Sequence, residues 1–174
     1  MSHYTYTSTL KCLYDRAKQL YREGNRDPST YFTGKEKAFL DSIGAKVQEV
    51  YDFVDDAIRY GEPDYETFIL IASVRRDYFL YVQKGVPGDR VEEEAGLPEK
   101  TAEVRGIRWL PRLIPKARAR LRGELPDSLM YGCGGDREFF RVHDIHPADF
   151  LRAVWAYETD DEKLVDWVQK NSKA

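Results

Sequence analysis

Phe68-Ile69-Leu70-Ile71-Ala72-Ser73-Val74-Arg75-Arg76-Asp77-Tyr78-Phe79-Leu80-Tyr81-Val82 carries apolar side chains in nearly every direction around a helical axis. A surface helix keeps one apolar stripe, whereas a helix apolar all round is the buried centre of its domain. Pro63 and Asp64 supply a start and Gly85 a stop, so the stretch predicts a helix over 65–83 around which the others pack. Arg75-Arg76-Asp77 interrupts it. In a buried helix at least one of these charges needs a partner, because an isolated buried ion is very costly. That partner is either a structural acid, with Asp136 as the candidate, or a bound anion.

On the N-terminal side the helical period continues. Leu10, Leu13, Tyr14, Ala17, Leu20 and Tyr21 step by three and four along one face, ending near Gly24. Thr33-Gly34-Lys35-Glu36 reads as a capping box opening a short helix with Phe39, Leu40 and Ile43, which Gly44 stops. Val47, Val50, Tyr51, Val54, Ala57 and Ile58 line a further helix ending at Gly61. Its other face, with Glu49, Asp52, Asp55 and Asp56, reads as solvated.

On the C-terminal side, 85–105 lapses into Pro, Gly and Glu and reads as irregular linker with at most a short extended stretch. A helix is expected from about Ile107 to Leu121, starting late or kinked around Pro111 and Pro115. Gly132-Cys133-Gly134-Gly135 makes a turn before a helix from Asp136 to about His143. Two more helices follow, near 147–157 and 160–169. The whole predicts an all-α domain over 1–174 of six to eight helices, with candidate sub-units 1–85 and 105–174 joined by the linker. Phe39, Ala45, Glu49, Val50 and Val54 fall opposite Phe139, Ile145, Asp149, Phe150 and Val154 at constant offset, which raises a pair of related helical hairpins.

Composition limits the function. The 174 residues carry a formal net charge of −3 and a pI near 5.7, so no overall pull towards nucleic acid or anionic membrane exists. Two cysteines, Cys12 and Cys133, without ligand spacing fit a reducing compartment better than a disulfide-stapled secreted one. The start of the chain lacks a signal-peptide pattern, and the longest apolar run, Phe68 to Ala72, is far short of a bilayer span, so the cytoplasm is the expected location and no membrane partner is expected.

Charge is concentrated at 105–122, which holds seven of the chain's 27 Lys and Arg residues and no acid. As a helix it would align Arg105, Arg108, Arg112 and Lys116, whose heads could hold phosphates or carboxylates. The bland reading lays this helix against acids such as the Asp52–Asp56 face. Next, in Tyr131-Gly132-Cys133-Gly134-Gly135-Asp136-Arg137, glycines let backbone amides converge and the following helix adds its positive end. Cys133 there is a candidate nucleophile. The bland reading has Asp136 capping the helix and Cys133 packed inside. The elbow lacks the Lys-Ser/Thr of a Walker loop and the strand of a dinucleotide fingerprint. His143-Asp144-Ile145-His146-Pro147 places two histidines at a turn and makes a poor metal site.

Leu110-Pro111-Arg112-Leu113-Ile114-Pro115-Lys116-Ala117-Arg118-Ala119, then Tyr131-Gly132-Cys133 with Asp136-Arg137, resembles the bacterial domain-of-unknown-function family 5069. Ser73-Val74-Arg75-Arg76-Asp77-Tyr78-Phe79, and Ile43-Gly44 with Val54, resemble its longer members, so that the likeness runs from Tyr31 to Val168. Pro115 departs from the helix-compatible residue expected there. The resemblance implies a small bacterial helical protein in which the Arg-rich helix and the elbow form one unit, and it supplies no activity.

These readings converge on a non-catalytic binding or regulatory domain with an Arg-lined anion recess at the elbow. Arg75, Arg76, Arg112, Cys133, Gly134, Gly135, Asp136 and Arg137 are its candidate residues, and a small anionic ligand or a protein is the expected partner. No cofactor or metal is expected. Two alternatives stand beside it: a small enzyme using Cys133 or bound-anion chemistry, and, less favoured, nucleic-acid binding through 105–122.

Overall fold

The computed structural model describes residues 3–173. Among them are eight α-helices: α1 (Tyr6–Arg22), α2 (Gly34–Ser42), α3 (Val47–Tyr60), α4 (Tyr65–Tyr81), α5 (Leu110–Arg122), α6 (Gly134–His143), α7 (Pro147–Ala156) and α8 (Asp161–Asn171). The sole sheet among these residues is a two-stranded hairpin, β1 (Glu103–Val104) and β2 (Ile107–Arg108), paired antiparallel. The all-α prediction therefore holds.

Local chemistry sets the boundaries. Thr33 and Glu36 form the expected capping box at α2, and Asp64 accepts a hydrogen bond from the Thr67 N–H at 2.8 Å to open α4. The linker ends differently from expectation. Arg105 and Gly106 take φ of 50° and 78° and turn the chain into the hairpin, so the basic helix starts at Leu110 rather than near Ile107. Arg105 and Arg108 are thus off the helix and do not align with Arg112 and Lys116. Pro111 sits in the first turn of α5, where no N–H is needed, while Pro115 lies inside and removes one rung of the ladder.

α1 packs on α3, α4 lies against α7 and α5, α5 also packs on α7, and α7 holds α8. α4 is central, yet it is not the most buried helix. Seven of its 17 residues are buried, against nine of the 13 in α5. Leu70, Tyr81 and Val82 face solvent at the edge of the α4 stretch. The basic helix is the more enclosed because Arg112, Lys116 and Arg120 bury their aliphatic stems and meet carbonyls or carboxylates at their heads.

The two hairpins correspond closely. α2 begins at Gly34 and α6 at Gly134; α3 begins at Val47 and α7 at Pro147. Gly44 and Asp144 both turn with positive φ. Phe39 and Phe139, Ala45 and Ile145, Val50 and Phe150, and Val54 and Val154 are buried at matching positions. The match extends upstream into α1 and α5, where Leu10 and Leu110, Leu13 and Leu113, and Ala17 and Ala117 are identical and buried, as are Tyr31 and Tyr131 beyond them.

Candidate functional site

A cleft of ≈ 550 Å³ opens between α3, the start of α5, the 127–130 segment and the glycine elbow. The elbow is built around a buried pair. Asp136 has no exposed surface, and its carboxylate accepts from Lys116 Nζ at 2.7 Å, the Gly132 N–H at 2.8 Å and Trp109 Nε1 at 3.0 Å. Lys116, on α5, also donates to Cys133 Sγ at 3.1 Å. Gly135 is a steric requirement here, because a Cβ at that position would lie 2.4 Å from the Trp109 ring.

Several expectations change at this point. α6 starts at Gly134, so Cys133 is its N-cap residue and Asp136 lies in its first turn, reaching back to Gly132 instead of capping directly. No side chain caps α6, and Cys133, half-buried, lines the cleft. Asp136 is the partner of Lys116 and not of Arg75 or Arg76.

Of the expected recess residues, Arg112, Cys133, Gly134, Gly135 and Arg137 line the cleft, with Asp136 behind them. Arg112 donates to the Pro98 carbonyl at 2.8 Å and to Glu94 at 3.1 Å. Arg137 holds Asp56 at 2.5 Å, Glu62 at 3.1 Å and the Gly132 carbonyl at 2.8 Å. Arg75 and Arg76 lie apart from this cleft. Arg75 is buried as expected, but its acceptors are Gln83 at 2.7 Å and the Arg122 carbonyl, with its guanidinium over the Phe79 ring. Burial pushes that guanidinium down to about 10. Arg76 stays nearer the surface on Asp77, His3 and the Tyr6 ring.

The acid-bearing face of α3, expected to be solvated, forms the opposite wall of this open cleft. Asp52, Asp55 and Asp56 of α3, with Asp127, line the cleft facing Arg112 and the elbow. Nothing in the helical period separates a cleft wall from a solvent face, since both are polar. The nearest signal was the opposite charge of the two helices. Trp109 carried no signal at all. The histidines serve local structure: His146 accepts from the Ala148 N–H, and His143 bonds Ser172. Among the described residues no group of three or more His, Cys, Asp or Glu is set to hold a metal, and no helix is long and apolar enough to cross a membrane.

Asp52 is the electrostatically odd member. Burial, with Asp56, Asp127 and Asp55 adding to it, pushes its carboxyl from 3.8 up to about 7, against one hydrogen bond from Gln48 at 2.8 Å. The folded chain keeps a proton that the unfolded chain releases near 3.8, so stability falls as pH climbs from there towards 7. Asp52→Asn keeps the Gln48 acceptor and removes the buried charge. It is expected to be the more stable protein by about 1 kcal/mol at pH 8 and nearly equal to wild type at pH 4. Urea melts at the two pH values check this.

No curated protein and no solved structure matches the chain. A family model, Domain of unknown function (DUF5069), matches residues 98–174. That segment contains the hairpin, α5, the elbow and α6 to α8, and leaves the 43–54 and 73–79 stretches outside the match. This C-terminal segment, which holds Lys116, Cys133 and Asp136, is thus similar to the DUF5069 family of unknown function.

Proposed function

We propose that the chain is a non-catalytic binding domain that takes a small dipolar ligand into the cleft at the elbow. The observation carrying this reading is the division of charge across the cleft. Asp55 and Asp127, joined by Asp52 once the pH passes about 7, stand on one side, and Lys100, Arg112, Lys116 and the uncapped start of α6 on the other. A helix start without a side-chain cap favours an anionic group.

A bare anion is served less well than expected from sequence. Lys116 is already shared with Asp136, Arg112 with Glu94, and Arg137 with Asp56 and Glu62. An anion entering alone would also meet the carboxylates of α3. A zwitterion avoids this by placing its ammonium there and its carboxylate at the elbow. Nucleic-acid binding has less support, because Arg105, Arg112, Lys116, Arg118 and Arg120 all hold carboxylates of the chain itself.

Calorimetry decides. Serine and S-methylcysteine are expected to bind with millimolar or tighter affinity, and phosphate and succinate about tenfold more weakly, a difference of about 1.4 kcal/mol. Asp127→Asn should weaken the zwitterions and not phosphate. Absence of heat from every probe at millimolar concentration overturns the reading.

A further inference from the structure

We propose that Cys133 is a thiol-exchange site, where the protein forms a mixed disulfide with a small zwitterionic disulfide of the cystine type. The proposal rests on the cleft reading above and adds a covalent step to it.

Three observations support this role. First, the sulfur meets a fixed cation inside an open cleft. Lys116 is almost fully buried, Asp136 holds it at 2.7 Å, and its ammonium donates to Sγ at 3.1 Å. The attacking species in disulfide exchange is the thiolate, and this ammonium is placed to hold its charge.

Second, the first half of the chain supplies an internal comparison. Thr33 stands where Cys133 stands, Glu36 where Asp136 stands, and Arg16 where Lys116 stands. There the hydroxyl donates to Glu36 at 2.7 Å, the Thr33 N–H donates to the same carboxylate at 2.7 Å, and Arg16 grips it through two nitrogens. Every polar group is used and the motif is a helix cap. At the elbow the shorter Asp136 turns to Gly132 and Trp109. Residue 133 is left with a thiol, a weak acceptor that does not cap α6. Capping does not account for a cysteine here.

Third, the charge division matches the ligand. A cystine half carries one ammonium and one carboxylate beside its sulfur, and the cleft offers the Asp127 and Asp55 carboxylates on one side and Lys100, Lys116 and the uncapped start of α6 on the other.

The step balances without an outside oxidant. The Cys133 sulfur attacks one sulfur of the bound disulfide, the S–S bond breaks as the new one forms, and the departing half takes up the proton that Cys133 gave to water. One disulfide and one thiol become one mixed disulfide and one free thiol.

Cys12, exposed on α1, is a reference thiol in the same molecule. The full chain is incubated with cystine or with the neutral bis(2-hydroxyethyl) disulfide, and peptide mass spectrometry follows each cysteine. With cystine, Cys133 should be modified about tenfold faster than Cys12, and this preference should shrink with the neutral disulfide. Lys116→Met should abolish the preference; if that variant does not fold, Asp127→Asn, at the cleft rim, should reduce it. Equal rates at the two cysteines, or modification of Cys12 alone, overturns the proposal. If S-methylcysteine binds by calorimetry while Cys133 stays unmodified, the exchange proposal falls and the cleft reading stands. If neither binding nor modification is found, both fall.

Discussion

Replacing Asp136 by Ala should destabilise the fold by about 3–5 kcal/mol, the usual cost of leaving one member of a buried ion pair alone. The carboxylate has no exposed surface and serves three donors at once: the Lys116 ammonium, the Gly132 N–H and the Trp109 indole. Its loss deprives the Gly132 N–H and the Trp109 indole of this acceptor and leaves Lys116 with the Cys133 sulfur, a weak one. Lys116 cannot swing out to water, because its stem is enclosed by α5 and the elbow and its side chain is 3% exposed. For a chain of this length 1 kcal/mol moves the melting midpoint by roughly 2–4 °C, so the drop should be on the order of 10 °C. Asp136→Asn preserves shape and can still accept from Gly132 and Trp109, so it should lose less, the difference reporting the charge. Thermal melts of the two variants read the result. An Ala variant melting within about 2 °C of wild type would mean that Lys116 finds another acceptor and that the elbow is not built on this pair.

The helices were legible in the sequence because their signals are local. The Thr33–Glu36 box, the Asp64 cap and the apolar spacing of α1, α3 and α7 each depend on residues a turn or two apart. The first misreading was also local. Ile107 and Leu110 are spaced like one helical face, but Arg105 and Gly106 carry positive φ and bend the chain into a hairpin first. At the elbow the turn was legible and its register was not, because two glycines of low helix propensity enter α6 under tertiary contact with Trp109. The site was legible only as a set of residue types. Arg112, Cys133 and Arg137 do converge, whereas Arg75 and Arg76 belong to other surroundings. Pairings such as Lys116 with Asp136, or Arg137 with Asp56, join residues far apart in the chain, and no periodicity encodes them. The acidic wall was hidden for a related reason: helical spacing tells which side of α3 avoids the core, and says nothing about what stands across from it.

The correspondence between the two halves leads to the second large effect. Arg120 occupies the position that Leu20 holds in the first half, and Leu20 packs partly buried against the core. Arg120 is 2% exposed. Burial pushes its guanidinium down to about 10, its Nε has no hydrogen-bond acceptor, and Glu49 on α3 is its counter-charge. Glu49 also accepts from the Lys46 N–H at 3.1 Å at the start of α3. Glu49→Ala removes both contacts and leaves the arginine charged in a site it cannot leave, so a loss of about 3–5 kcal/mol is expected. Arg120→Leu alone should cost much less, near 1 kcal/mol, because Glu49 sits closer to solvent, at 15% exposure, and keeps its backbone bond. The double variant should recover most of what Glu49→Ala loses, since an apolar side chain of the kind found at position 20 no longer needs a counter-ion. Denaturant melts of the four proteins give a cycle whose coupling should be on the order of 3 kcal/mol. Losses that simply add would show that Arg120 does not depend on Glu49, and that its burial is sustained by packing alone.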